Sequence, residues 1–186
     1  MGLRIIGGSL RGKKILSVKG DVTRPTSDRL RESIFNIISF RIKEAVVLDL
    51  YAGTGAFGLE SLSRGAGSVV FVDNYRDALD VIKKNISLCN MDNRSKVINC
   101  NIIKNLNCLS TKQTFFDMVI MDPPYNRETI KKTLYNLHDS HCLKPDAMVV
   151  VEHFPLETIY EGFDFFQITS QRKYGKKLVS FLSYMI

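Results

Sequence analysis

Val46-Val47-Leu48-Asp49-Leu50-Tyr51-Ala52-Gly53-Thr54-Gly55-Ala56-Phe57-Gly58 decides the fold. Its first five residues form an apolar run with one acid near its end, the pattern of a strand buried on both faces of a parallel sheet. The glycines then turn the chain into a helix expected over residues 53–64, which Gly65-Ala66-Gly67 stops. The same alternation continues down the chain. Strands are expected at 69–73, 96–99, 116–121 and 147–152, with helices at 76–88 and 128–137. Repeated strand–helix units predict a mostly parallel sheet with helices on both faces. At the end, 163–172 and 178–185 read as strands separated by Lys173-Tyr174-Gly175-Lys176-Lys177, which predicts a closing antiparallel hairpin.

Gly53 to Gly58 is a literal G-x-G-x-x-G, and Asp73 at the end of the next strand would suit the ribose of a dinucleotide. Asp49 points elsewhere. A carboxylate beside the loop repels a pyrophosphate but attracts an amino group or a sulfonium; such an attraction is worth roughly several kcal/mol at moderate dielectric, before desolvation is subtracted. S-adenosylmethionine is a ligand of this kind. Asp49, Tyr51, Ala52, Gly53, Thr54 and Gly55 are its expected cradle, with Gly58 easing helix-to-sheet packing. Asp73 is expected on the ribose hydroxyls and Asn74 or Tyr75 beside the adenine. Cys100-Asn101-Ile102 would supply an amide and an apolar contact to the adenine edge, a plain turn at Asn101 being the other reading.

Composition bounds the rest. The chain has 186 residues, 45% of them hydrophobic, enough for one core. Residues 1–44 hold ten Lys/Arg against four acids, so +6 of the total of +7 sits there. A local positive excess is the footprint of a surface that meets phosphates, a solvated charged face being the plainer reading. Within it, two short strand-like runs, Leu3-Arg4-Ile5-Ile6 and Lys14-Ile15-Leu16, bracket a glycine-rich turn and predict a basic hairpin. Thr26, Ser27 or Asp28 would cap a helix with Leu30, Ile34, Phe35, Ile37 and Ile38 inward and Arg29, Arg31 and Arg41 outward. Cys89, Cys100, Cys108 and Cys142 have neither zinc-ligand spacing nor a disulfide framework, so reduced thiols are expected and no metal. His138, His141 and His153 are expected at the surface or at strand edges. No run approaches the roughly 18 apolar residues of a membrane span, so a cytosolic protein is expected.

Asp122-Pro123-Pro124-Tyr125 leaves the strand at 116–121. An acid, two prolines without an N–H and an aromatic ring pack poorly but suit a flat, amine-bearing ligand. With this motif the chain resembles the bacterial 16S ribosomal RNA guanine-N2 methyltransferases. The resemblance rests on Arg4-Ile5-Ile6-Gly7-Gly8, Arg24-Pro25-Thr26 with Arg29, Arg31, Glu32 and Phe35-Asn36, Asp49 to Gly58 with Leu59-Glu60 and Ser63-Arg64-Gly65-Ala66, and Asp122 to Tyr125. It implies a Rossmann-like α/β fold, with S-adenosylmethionine as methyl donor. It also implies a basic RNA-binding extension at 1–44, a methyltransferase domain at 45–186 and a monomeric enzyme acting on 16S RNA or the assembling small subunit. The target it implies is guanine 966 in the usual 16S numbering. Arg4, Arg11, Lys13, Arg24, Arg29 and Arg31 would then grip RNA, as phosphate contacts that position rather than specify.

The motif fits that chemistry. The guanine 2-amino group is a weak nucleophile because its lone pair is delocalised into the ring. Asp122 and the Pro123 carbonyl, accepting its two N–H bonds, would aim that lone pair at the donor methyl. Tyr125 offers a stacking face worth roughly 1–3 kcal/mol, and Pro123 and Pro124 stiffen the loop. Two rivals stand beside this reading. DNA adenine-N6 methylation uses the same four residues but usually needs a larger target-recognition region. A non-catalytic RNA-binding module would be expected to lack Asp49, Asp73 or Asp122, and all three are present.

Overall fold

The computed structural model describes residues 2–18, 27–110, 114–124, 127–155, 157, 159 and 164–186. Its strands are β1 (Val46–Leu50), β2 (Ser68–Asp73), β3 (Ser95–Asn99), β4 (Phe116–Met121), β5 (Leu143–His153), β6 (Phe166–Tyr174) and β7 (Lys177–Tyr184). Its helices are α1 (Asp28–Ile37), α2 (Ser39–Ile42), α3 (Ala56–Ser63), α4 (Arg76–Leu88), α5 (Asn107–Ser110) and α6 (Arg127–Asp139). The strands form one sheet in the order β3-β2-β1-β4-β5-β7-β6. β1 to β5 run parallel, and β7 lies antiparallel between β5 and β6. This is the predicted α/β architecture with its closing hairpin.

Alternating side chains feed two apolar clusters, one on each face. Val47, Met118, Ile120, Met148 and Val150 join the cluster that receives α1, α3 and α4. Leu48, Leu50, Val119, Met121, Val149 and Val151 join the other, with Ile130, Leu134 and Leu137 of α6. Three element starts differ from expectation by three residues or more, β6 beginning at Phe166 and the other two, α3 and β5, having local causes or irregularities. α3 begins at Ala56 because Gly53 (φ 56°) and Gly55 (φ 76°) are left-handed, which ends any helix before them. β5 begins earlier, at Leu143, and its register against β4 shifts between Phe116 and Met118.

The N-terminal segment is bound into this core. Its hairpin reduces to one bridge, Arg4 with Lys14, and a few backbone bonds such as Ile5 N–H to the Lys13 carbonyl at 2.9 Å. Ile5, Ile15, Leu30, Ile34, Phe35 and Ile38 share one cluster with Val47, Leu59 and Phe71. Of the three expected caps, Ser27 holds the start of α1, its hydroxyl accepting the Leu30 N–H at 3.3 Å.

Arg31 needs correction. It lies on the buried stripe of α1, 1% exposed, and donates to the Arg4 carbonyl (2.5 Å) and to Asp28 Oδ1 (3.2 Å). Burial pulls its pKa down, while Glu60 and Asp28 pull it back up. A side chain so enclosed holds the fold and does not reach a phosphate.

Beside it, the fully buried Glu60 of α3 accepts the N–H groups of Ile6 (2.7 Å) and Gly7 (2.8 Å) and the Arg64 Nε–H (2.7 Å), with Arg31 Nε at 4.0 Å. Ser63, one turn on, donates to the Gly7 carbonyl and accepts the Leu10 N–H. Asn85 of α4 grips both the N–H and the carbonyl of Leu16 and donates to the Thr54 carbonyl at 2.9 Å. The first residues are thus held by side chains of α3 and α4 rather than by a strand ladder.

The thiol expectation also changes. Cys100 and Cys108 are joined as a disulfide, with Cα atoms 6.6 Å apart, brought together by the turn after β3 and by α5. Cys89 and Cys142 are free and buried, and burial raises both thiol pKa values.

Because Glu60 satisfies two backbone N–H groups and faces two arginines, Glu60→Ala leaves several buried donors without an acceptor. The expected cost is about 3–5 kcal/mol, read as a lowered urea midpoint with an unchanged slope.

Candidate active site

Strand order places the site. β1 lies at the point where the sheet changes direction of growth, β2 and β3 to one side and β4 and β5 to the other. Ligands of open α/β sheets bind outside the carboxyl ends of strands at such a point. Asp49 in β1, Asp73 at the end of β2 and Asp122 just after β4 all sit at that edge.

Asp49 is 2% exposed, and its Oδ2 accepts the Gly58 N–H at 2.9 Å. Gly58 has no side chain for a reason: a Cβ there would lie 2.2 Å from Phe71 Cε1. The close approach of α3 to the sheet, expected from the sequence, is what lets the carboxylate reach that N–H. This bond also decides between the two glycine-loop readings, since the first turn of α3 points an N–H at a carboxylate instead of offering it to a phosphate. Burial pushes the Asp49 pKa well up, with the charges of Asp73 and Asp122 adding in the same direction and the Gly58 bond opposing. Three acids whose fields overlap, one of them desolvated, make a place that favours a cation.

Asp73 organises the loop. Oδ2 accepts the Gly53 N–H at 2.8 Å, and Oδ1 accepts the N–H groups of Asn74 (2.8 Å) and Tyr75 (2.9 Å). Ala52 N–H bonds the Val72 carbonyl, and Gly55 N–H bonds the Ala52 carbonyl at 2.7 Å. The space over Gly53 is open, a Cβ there meeting nothing nearer than the Tyr51 carbonyl oxygen at 3.9 Å. A loop pinned from below and open above fits a ligand lying against its backbone, so the residues present suit the donor inferred from the sequence.

Other expected residues have structural work of their own. The Tyr51 ring turns to the α6 face, where its hydroxyl meets Thr133 Oγ1 at 2.6 Å, and burial pushes its pKa up to about 12. Asn101 takes the turn reading: its carbonyl accepts the N–H groups of Lys104 and Asn105, and its Oδ1 also accepts from Lys104. The Ile102 side chain is 3% exposed and belongs to the second apolar cluster. Asn74 and Tyr75 are exposed at the mouth, Tyr75 at 55%.

In the loop after β4, Asp122 is half-buried, Pro123 buried and Pro124 exposed. Tyr125 lies outside the described residues, as does Arg24. Arg4, Arg11, Lys13 and Arg29 are exposed, Arg4 beside Asp28 at 3.0 Å. Two buried groups near this edge go beyond what the sequence predicts. Glu152, 2% exposed, pairs with Lys177. His153 is 1% exposed rather than superficial; its Nε2 meets Ser180 Oγ at 2.8 Å and its Nδ1 the Phe154 carbonyl oxygen at 2.9 Å, and burial lowers its pKa. Glu152 does carry a signal in the sequence: like Asp49, it is an acid closing an apolar strand.

Among the described residues no group of three or more His, Cys, Asp and Glu side chains is arranged to hold a metal ion, and no helix is long and apolar enough to cross a membrane.

A family model described as conserved hypothetical protein 95 matches residues 3–183. YlbH of Bacillus subtilis is 32% identical over 173 residues, 93% of this chain and 94% of its own length. The ribosomal RNA small subunit methyltransferase D of Escherichia coli is 36% identical over 150 residues, 81% of this chain and 74% of its own. The solved structure of yhhF from Escherichia coli matches with a TM-score of 0.85 at 31% identity, over 100% of this chain and 99% of the other.

The raised Asp49 pKa gives a signed expectation. A carboxyl that is harder to ionise in the native than in the unfolded chain contributes stability below its ordinary pKa and loses it as pH rises through the raised one. Asp49→Asn retains an oxygen for the Gly58 N–H and lacks this loss. In urea unfolding of ligand-free protein from about pH 4 to about pH 8, the wild type should weaken relative to the variant by on the order of 1 kcal/mol or more.

Proposed function

Since this chain belongs to the conserved hypothetical protein 95 family, we propose that it methylates the exocyclic N2 of a guanine in 16S ribosomal RNA, with S-adenosylmethionine as donor. The observation that carries this reading is the meeting of Asp49, Asp73 and Asp122 at one sheet edge, with a stiff Pro-Pro loop behind the third acid. At the coarser level the chain is an S-adenosylmethionine-dependent methyltransferase of Rossmann-like fold that acts on ribosomal RNA, in keeping with the small-subunit enzyme to which it is similar. The guanine, its N2 atom and position 966 are the finer part of the proposal.

When bound, the donor supplies an electrophilic methyl group. Asp49 and the backbone of residues 52–55 would hold its cationic end, and Asp73 its ribose. Asp122 and the Pro123 carbonyl accept the two N–H bonds of the target amine, which turns its lone pair out of conjugation with the ring. Positioning and a fixed negative charge beside a nitrogen that becomes cationic account for the rate enhancement. Asp122 is also the nearest base for the proton released, with solvent as the alternative acceptor. Tyr125 supplies the stacking face, and Arg4, Arg11, Lys13, Arg24 and Arg29 hold phosphates.

The deciding assay offers labelled donor with either RNA from immature small subunits or methylation-free DNA. Label in RNA, recovered as N2-methylguanosine, is expected; label in DNA alone would overturn the proposal. Asp122→Ala should lower turnover by about 10²–10⁴-fold while donor affinity stays within a few-fold. Neutralising Arg11 and Arg29 together should flatten the log–log salt dependence of RNA binding by about 1.5.

A further inference from the structure

Beyond the half-buried Asp122, a second acid, the buried Glu152, lies at this end of the sheet. β4 and β5 run in parallel register as far as Met121 beside Val151; continued one residue past the end of β4, that register brings Asp122 alongside Glu152. Adjacent strands lie about 4.8 Å apart. Side-chain alternation puts Glu152 on the face of Met148 and Val150, and the same alternation carries Asp122 to the face of Met118 and Ile120, which is also that of Val47 and Asp49. β7 comes next: Glu152 is opposite Val179, and Lys177 shares the Val179 face and pairs with the Glu152 carboxylate. Taken across β4, β5 and β7, the order of charged groups at this end of the sheet is therefore carboxylate, carboxylate, ammonium, with Glu152 buried beneath the rim.

An ion pair in this place contributes little to folding. Glu152 is 2% exposed, and taking a carboxylate out of water costs about as much as a partner returns, so an apolar pair would serve the fold as well. The order of charges has a chemical counterpart. Along the Watson–Crick edge of guanine the groups run 2-amino donor, N1–H donor, O6 acceptor. Adenine presents a bare N1 lone pair and a 6-amino donor, the opposite sense at both positions.

We propose that the Glu152–Lys177 pair selects guanine, Glu152 accepting N1–H and Lys177 donating to O6 while Asp122 holds the 2-amino group. This deepens the methyltransferase reading and rests on it. A carboxylate has about four acceptor directions, so one such group can serve Lys177 and N1–H together. Lys177, 23% exposed, stands at the rim where O6 would arrive. The pair sets which base is accepted, and Asp122 and the donor loop determine the reaction.

The test uses small-subunit RNA carrying either guanine or 2-aminopurine at the methylated position. 2-Aminopurine keeps the amine that is methylated and lacks both N1–H and O6. The full-length wild type should prefer guanine by on the order of tenfold to a hundredfold in kcat/KM, the worth of charged hydrogen bonds. Glu152→Gln can turn an N–H toward a bare N1, so the preference should fall at least about tenfold, with donor affinity unchanged. Lys177→Met should slow guanine and leave 2-aminopurine unaltered. If both rates fall together and the ratio holds, the pair is structural and the proposal is wrong. If Glu152→Gln does not fold, Lys177→Met at its rim position decides alone. Wild-type methylation at any atom other than guanine N2 would overturn the underlying reading, a result distinct from an unchanged ratio in an enzyme that does make N2-methylguanosine.

Discussion

The contact on which the site depends is the hydrogen bond from the Gly58 N–H to Asp49 Oδ2. It exists because Gly58 lets α3 lie against Phe71 and Val69, closer than any side chain would allow. Through it the first turn of α3, the end of β1 and the glycine loop form one rigid unit. It also keeps a carboxylate in a place where water cannot serve it, and that is where the electrostatic character of the cleft arises. The loop is then tied to the next strand by Asp73, whose two oxygens collect three backbone N–H groups. The cleft is thus preorganised by acids that hold the backbone around it.

The same economy extends to the N-terminal segment. Glu60 holds Ile6 and Gly7, Ser63 holds Gly7 and Leu10, and Asn85 holds Leu16 on one side and the Thr54 carbonyl on the other. A segment with almost no sheet pairing keeps a defined course because buried side chains from two helices take over the backbone bonds that a partner strand would have made. Asn85 joins the basic surface and the glycine loop through a single amide.

Much of this is legible in the residues. Acids that close apolar runs mark Asp49, Asp73 and Asp122, and strand–helix alternation points to the sheet and its parallel sense. Arg31 reads by its charge as a surface residue, although its spacing says otherwise: it stands three, four and seven positions before Ile34, Phe35 and Ile38, on the stripe that turns inward. Periodicity outweighs charge there. Glu60 and Asn85 carry no such mark, because the N-terminal backbone groups they hold lie more than fifty residues away in sequence. The Cys100–Cys108 pairing follows from a turn and a short helix, which no spacing rule foresees.

Strand order has one further consequence. With β7 inserted between β5 and β6, the outermost strands of the sheet are β3 and β6. Among the described residues each has a side without a neighbouring strand, which in many proteins invites another chain to add itself. Here the rims carry Lys96 on one strand and Arg172 and Lys173 on the other. Two copies approaching rim to rim would bring like charges together before any ladder could form. The charges at the rims of the sheet are those of a basic protein, so what would repel a second copy and what would attract an anionic polymer are the same side-chain chemistry.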